Sequence, residues 1–234
     1  MIGKILITLY LVVVLLVVFI GSLPILFVSY FILSQKKFAY LNETIGSIIF
    51  KIMILSKIWS FKITGGENID PDEQYVIVAN HVSFIDTFVM WQLPIYKKFI
   101  MAEKYTKIPI FGNICKACGH VFVDMNNRHT TINAVDKACE TIKDGSSFAI
   151  FPEGKRSDNP NVLLPFKTGA FRIAQKANIK ILPVVIRGSG KALPVGGICN
   201  FADIEMIIGE PLYIGDDYNA NINTVRKFIL DKLN

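Results

Sequence analysis

The order of apolar and polar positions divides the chain into two unequal parts. Residues 5–33 contain no charged side chain and are apolar almost throughout. That run exceeds the ~20 residues a helix needs to cross a bilayer. Gly21-Ser22-Leu23-Pro24 interrupts it, and either kinks one helix or divides two shorter ones. A cleaved signal peptide would have an apolar region of ~7–15 residues ending at a small-residue site. Here the apolar run resumes after Pro24, which argues against cleavage. Over residues 44–60, apolar clusters alternate with Lys and Ser. This is the pattern of a helix with a strongly apolar surface, lying against a membrane or against the domain that follows.

The second part has a different rhythm. Thr64-Gly65-Gly66-Glu67-Asn68, with Pro71, marks the passage into it. Short apolar runs then recur near 75–79, 98–101, 120–123, 148–151, 179–186 and 204–208, each of a length suited to a buried strand. Helical patterns lie between them near 87–92, 130–143 and 166–176. Residues 222–233 close the chain with Ile222, Val225, Ile229 and Leu233 near a helical period. Strands alternating with helices predict an α/β fold, a mixed sheet covered by helices on both faces. The expected organisation is a hydrophobic helical membrane-anchoring region over residues 1–63 and an α/β domain over 64–234. There is no internal repeat, low-complexity tract or long linker.

Charge sharpens this picture. No acidic residue precedes Glu43, whereas Lys36, Lys37, Lys51, Lys57 and Lys62 follow the apolar run closely and only Lys4 flanks its other end. Such asymmetry predicts the α/β domain on the cytoplasmic side of a membrane, with lysines facing anionic headgroups. The formal net charge of +6 suits anionic partners. No nucleic-acid-binding motif occurs and the charge clusters beside the apolar run, so membrane and phosphorylated substrates are preferred to nucleic acid. Cys115 and Cys118 form a C-x-x-C with His120 nearby. A zinc or redox site needs further ligands or a thioredoxin-like context, so reduced structural thiols are the expectation for all four cysteines.

Two segments carry chemistry. Asn80-His81-Val82-Ser83-Phe84-Ile85-Asp86 follows a strand-like run. A histidine at a strand end with a carboxylate close behind is a candidate general base with its orienting acid. On one continuous helix, positions at this spacing would point about 140° apart. The two meet only if His81 sits in the turn and Asp86 in the first turn of the next helix, with Ser83 as a plausible N-cap. Standing alone, the pair could equally be a satisfied histidine at a strand-to-helix turn. The second segment, Pro152-Glu153-Gly154-Lys155-Arg156-Ser157, also follows a strand-like run, at a strand end where α/β proteins bind ligands. Gly154 lets the backbone approach a ligand. Arg156 offers a planar fork suited to phosphate, and Lys155 a point charge. Standing alone, this would be a solvated basic turn.

Together the segments resemble the glycerophospholipid acyltransferase family, and within it the branch that acylates 1-acyl-glycerol-3-phosphate. The family's N-H-x-S-x-x-D motif matches Asn80, His81, Ser83 and Asp86, and its F-P-E-G-x-R-S motif matches Phe151 through Ser157. The proline-centred Leu182-Pro183-Val184-Val185-Ile186 and the stretches 108–112 and 164–171 also look like family sequence. Two departures stand out. The motif G-x-x-F-I-D-R reads Gly119-His120-Val121-Phe122-Val123-Asp124-Met125 here, and Ala102 stands where the family commonly has a lysine.

The resemblance implies transfer of an acyl group from a thioester, acyl-CoA or acyl-ACP, to lysophosphatidic acid, with these carriers as co-substrates and no metal or other cofactor. His81 and Asp86 would be catalytic. Glu153, Gly154 and Arg156 would shape the site for the substrate phosphate. Arg128, which follows Met125 closely, Lys155 and Lys104 are further candidates. Oxyanion donors would be backbone amides near a helix start. The rival expectations are an acyltransferase for another lysophospholipid or a lyso-aminolipid, and, more remotely, a non-catalytic lipid-binding membrane protein.

Overall fold

A computed structural model describes residues 2–124 and 127–233. The chain opens with α1 (Ile2–Ile32), which runs unbroken with Pro24 inside it, so Gly21–Pro24 does not divide two helices. α2 (Gln35–Leu55) follows after a short break. Both are long and apolar enough to cross a membrane. Leu11 and Leu26 of α1, and Phe38, Ile49, Phe50 and Met53 of α2, are nonetheless buried against the rest of the molecule. The apolar surface expected over 44–60 therefore lies against the domain, while Tyr40, Ile48 and Leu55 of α2 remain outside.

The strands are β1 (Trp59–Thr64), β2 (Tyr75–Ala79), β3 (Lys97–Ala102), β4 (Val121–Val123), β5 (Ser147–Ile150), β6 (Lys180–Arg187) and β7 (Ala202–Ile208). They form one 7-stranded sheet in the order β1-β7-β6-β2-β5-β3-β4. β2 pairs in parallel with β5 and β6, and β3 with β5 and β4. β7 runs antiparallel to β6, and β1 lies parallel to β7. The sheet is thus mixed, as the sequence predicts. It begins at Trp59, ahead of the boundary expected at residue 64.

The remaining helices are α3 (Asp86–Met90), α4 (Phe111–Ala117), α5 (Arg128–Ile142), α6 (Gly169–Ala177), α7 (Ser189–Ala192) and α8 (Tyr218–Leu233). Successive strand side chains point to opposite faces, and β2 divides accordingly. Tyr75, Ile77 and Ala79 join the core under α1, α2 and α3. Val76 and Val78 join the core under α5, α6 and α8. Both faces are covered, which is why β2 is apolar at every position rather than at alternate ones. The loops after β2, β5 and β6 emerge at one edge of the sheet, the carboxyl end at which open α/β sheets bind ligands.

The entry into α4 depends on two particular residues. Gly112 cannot carry a side chain, because a Cβ there would lie 2.5 Å from the Thr106 carbonyl oxygen. Just before it, Ile110 has φ 65° and ψ −58°, and the Phe111 amide donates to the Pro109 carbonyl at 2.7 Å. This is a γ-turn of the strained kind. It sets the direction in which α4 leaves.

Candidate active site

His81 follows the end of β2, and Asp86 opens α3. The turn folds back so that His81 Nδ1 and Asp86 Oδ2 lie 2.8 Å apart. Asp86 is fully buried, whereas the His81 side chain is 18% exposed. The same Oδ2 accepts the amides of Val82 and Ser83, each at 2.8 Å. The carboxylate therefore builds the turn as well as holding the ring. It also engages two amides at a helix start, which leaves them poorly placed to hold an oxyanion. With Nδ1–H directed at Asp86, the imidazole carries its lone pair on Nε2. Ser83 does not cap α3. The residue preceding the helix is Ile85, and the Ser83 hydroxyl donates to the Leu193 carbonyl at 2.7 Å while accepting the Ile85 amide at 3.3 Å.

The second segment grips the first. Glu153 is buried, with Oε1 accepting the His81 amide and Oε2 the Leu164 amide, both at 2.8 Å. The Ser157 amide in turn donates to the His81 carbonyl at 2.8 Å. The main chain of His81 is thereby held from both sides by one turn. Phe151 lies flat on the imidazole, with ring centres 4.0 Å apart and planes 12° apart. Burial pushes the Glu153 carboxyl above its ordinary value, and the two amides partly offset this. Arg226 anchors the far end of the clamp through the carbonyls of Leu163, at 2.8 Å, and Leu164. On the other flank, Asn80 exchanges hydrogen bonds with the main chain of Ile186, at 2.8 and 2.9 Å, tying the start of the motif to β6.

The sequence places Glu153 among residues shaping the phosphate pocket. In the structure both of its oxygens are taken by main-chain amides, which ties its side chain to the backbone of His81 and of Leu164. Gly154 has φ 74°, which suits glycine, and its amide donates to the Phe151 carbonyl at 3.0 Å. Lys155 is exposed, and the half-buried Arg156 makes no side-chain hydrogen bond or ion pair with any described residue. Arg156 directly precedes Ser157, whose amide holds the His81 carbonyl. Lys104 is exposed on the turn after β3, 5.4 Å above the Tyr105 ring, and no hydrogen bond joins it to either motif among the described residues. Arg128 begins α5, but its side chain, like Met125, lies outside the described residues.

An apolar hollow opens beside the turn, lined by Leu11 and Leu15 of α1, Phe50 of α2, and Phe84, Ile85 and Leu193. The N-terminal helix thus forms a wall next to the His81 turn. Elsewhere, the four cysteines are buried free thiols. Burial pushes Cys115 and Cys118 up to about 12, well away from the thiolate form that metal or redox chemistry requires. Sequence reasoning assigned no role to Phe151 or Asn80, although both stand within the motifs. Leu164 lies in a stretch that resembles family sequence, but nothing in the sequence marks its amide or the Leu193 carbonyl as a contact, since both are main-chain groups.

Three comparisons bear on this arrangement. A family model described as Acyltransferase matches residues 60–187. The chain is 34% identical over 175 residues to a chloroplastic 1-acyl-sn-glycerol-3-phosphate acyltransferase of Brassica napus, covering 74% of this chain and 50% of the relative. It is 32% identical over 178 residues to the chloroplastic enzyme of that name from Arabidopsis thaliana, covering 75% and 49%. The chain therefore spans about half the length of these curated relatives. The crystal structure of the 1-acyl-sn-glycerophosphate (LPA) acyltransferase PlsC from Thermotoga maritima is similar over 99% of this chain and 95% of that one. Its TM-score is 0.80 and its identity 25%.

Proposed function

Because the chain belongs to the acyltransferase family, we propose that it transfers a fatty acyl group from a thioester donor, acyl-CoA or acyl-ACP, to the free sn-2 hydroxyl of lysophosphatidic acid, giving phosphatidic acid. The observation that carries the reading is the His81–Asp86 pair, with Nδ1 committed to a buried carboxylate and the imidazole itself partly exposed. His81 Nε2 takes the proton from the acceptor hydroxyl as its oxygen attacks the thioester carbonyl. Asp86 fixes the tautomer and stabilises the imidazolium that forms, as the acid does in a serine-protease triad. Collapse of the tetrahedral intermediate breaks the carbon–sulfur bond, and the imidazolium returns its proton to the departing thiolate. The acceptor hydroxyl is the nucleophile, so no acyl-enzyme is formed.

In this reading Glu153 and Phe151 are positioning residues, which hold the main chain and the ring plane of His81. Arg156, with its guanidinium unpaired among the described residues, receives the acceptor phosphate, with Lys155, Lys104 and Arg128 as further cations. The apolar helices keep the site at the membrane where a lysolipid resides, and the lysine excess after α1 favours a cytoplasmic-facing domain on an anionic bilayer.

The test is an acceptor panel assayed with the purified full chain and labelled acyl-CoA or acyl-ACP. Lysophosphatidic acid is expected to be acylated fastest. Preference for a lysophosphodiester or a lyso-aminolipid would establish the sister-enzyme reading, which Met125 in place of the family arginine favours. Transfer to none of them would leave a lipid-binding protein.

A further inference from the structure

The loop between α7 and β7 is unusual for a surface connection. Its base is fixed. The Asn200 amide donates to the Ala192 carbonyl at 2.9 Å, and the Asn200 side chain donates to the carbonyls of Lys191 and Ile198 at 3.1 and 3.0 Å. Trp59 Nε1 donates to the Asn200 carbonyl at 3.0 Å. Its outer surface is apolar. Val195 is 38% exposed, Ile198 41% and Phe201 63%. Bulky apolar groups on a rigidly held loop need a partner, because water alone gives no reason to present them.

Two observations identify that partner. The first is continuity with α1. The Cys199 amide donates to the Thr8 hydroxyl at 2.8 Å, which fastens the loop to the first turns of that helix. Ile5 and Val12 share the face of α1 that carries Thr8, and both are exposed. The apolar surface of the loop therefore continues into the apolar surface of a helix suited by composition to lipid. The second is charge. Phe201 shares an open groove with Lys57, at the turn after α2, and with Lys191. Both lysines are exposed and neither is ion-paired with a described residue. The one acid lining the groove, Asp203, has an oxygen bonded by the Ser60 hydroxyl at 2.5 Å. Apolar side chains rimmed by free lysines match the boundary between acyl chains and anionic headgroups.

We propose that Val195, Ile198 and Phe201 dip into an anionic lipid surface, with Lys57 and Lys191 at headgroup level, as a membrane contact that extends the one made by α1. The proposal rests on the membrane-associated reading of α1. It carries a consequence for the site, because the Ser83 hydroxyl is bonded to the Leu193 carbonyl at the root of the same loop. Lipid contact at the loop would set the height of the His81 turn above the bilayer.

The test uses the full chain with an environment-sensitive fluorophore on Phe201→Cys, since the four native cysteines are buried. Tyr213→Cys, on an exposed residue next to the bridge at the start of β6, is the control. On vesicles containing anionic phospholipid, the probe at 201 should shift to the blue and be quenched by spin-labelled lipid, while the probe at 213 should do neither. An Ile198→Asp/Phe201→Asp double variant should need at least about tenfold more vesicle lipid for half-maximal activity. Its turnover on a water-soluble short-chain acceptor should be unchanged. Solvent-like emission at 201 in vesicle-bound protein would overturn the proposal and leave the α1 reading intact. A blue shift without lipid quenching would mean a protein contact and would overturn it too. Failure of the chain to bind vesicles at all would overturn both readings.

Discussion

Glu153→Gln separates positioning from substrate binding. The carboxylate holds two amides at 2.8 Å, those of His81 and Leu164, in a buried setting. Glutamine is nearly isosteric but keeps only one carbonyl oxygen. Its NH₂ end must then face an amide that also donates. A hydrogen bond to a charged acceptor contributes about 1.5–3 kcal/mol. If the oxygen stays with Leu164, that loss falls on the main chain of His81. A loss of this size in the transition state lowers kcat about ten- to a hundredfold. Stability should suffer less, because burial already opposes the charge that glutamine removes.

The direction with pH follows from the same shift. The folded protein binds this proton more readily than the unfolded chain, whose carboxyl titrates near 4.5. The contribution of Glu153 to stability is therefore highest below that value and declines as pH rises through the raised folded pKa. Glutamine should flatten this part of the profile. The measurements are steady-state kinetics against donor and acceptor in turn, with thermal melts at several pH values. Reduced kcat with both KM values within about twofold is expected if the effect is on transition-state stabilisation. An unchanged kcat with a large rise in acceptor KM would refute the argument, and would mean that Glu153 touches the acceptor.

Further predictions concern the other groups. His81→Ala should lower turnover by about 10²–10⁴-fold in protein that still folds and melts cooperatively, and Asp86→Asn should be severely impaired, as shown by single-turnover kinetics. Arg156→Ala should raise acceptor KM roughly ten- to a hundredfold and leave donor KM unmoved. A parallel effect of Arg128→Ala, with coupling in the double variant, would show that this arginine serves where Met125 cannot. Burial beside Lys98 lowers His120 from 6.5 to about 4, so the unfolded chain takes up the proton first and stability falls as pH drops through that interval. The loss is roughly 3 kcal/mol at about 1.4 kcal/mol per pH unit, and chemical denaturation of His120→Phe should show a shallower acid slope.

The sheet interior was readable because β2, β5 and β6 are buried on both faces and so nearly apolar throughout. β1 is hard to read for the opposite reason. It is an edge strand in which Trp59 alone is fully buried. Its Trp-Ser-Phe-Lys-Ile-Thr alternation is a period-2 signal, but it follows directly on the apolar end of α2 and reads as its continuation. The start of α2 is hidden in the sequence because Gln35-Lys36-Lys37 presents a polar opening to a helix whose buried face begins only at Phe38.

The site divides along the same physical line. His81 and Asp86 interact within a single turn, so spacing alone constrains them. The clamp does not lie within one turn. Glu153 meets His81 across 72 positions, and Asn80 meets Ile186 across 106, in each case through main-chain groups that every residue possesses. Side-chain identity cannot announce such a contact. A glutamate beside an arginine in a glycine turn reads as a charged pair facing a ligand. Burial assigns them differently, turning the acid inward to the histidine's backbone and leaving the guanidinium unpaired among the described residues. On the proposed reading, local geometry would set the base, and the cations left unpaired among the described residues would set the phosphate pocket. Replacement of one motif arginine by Met125 would, on that reading, bear on acceptor choice and not on the His81–Asp86 pair.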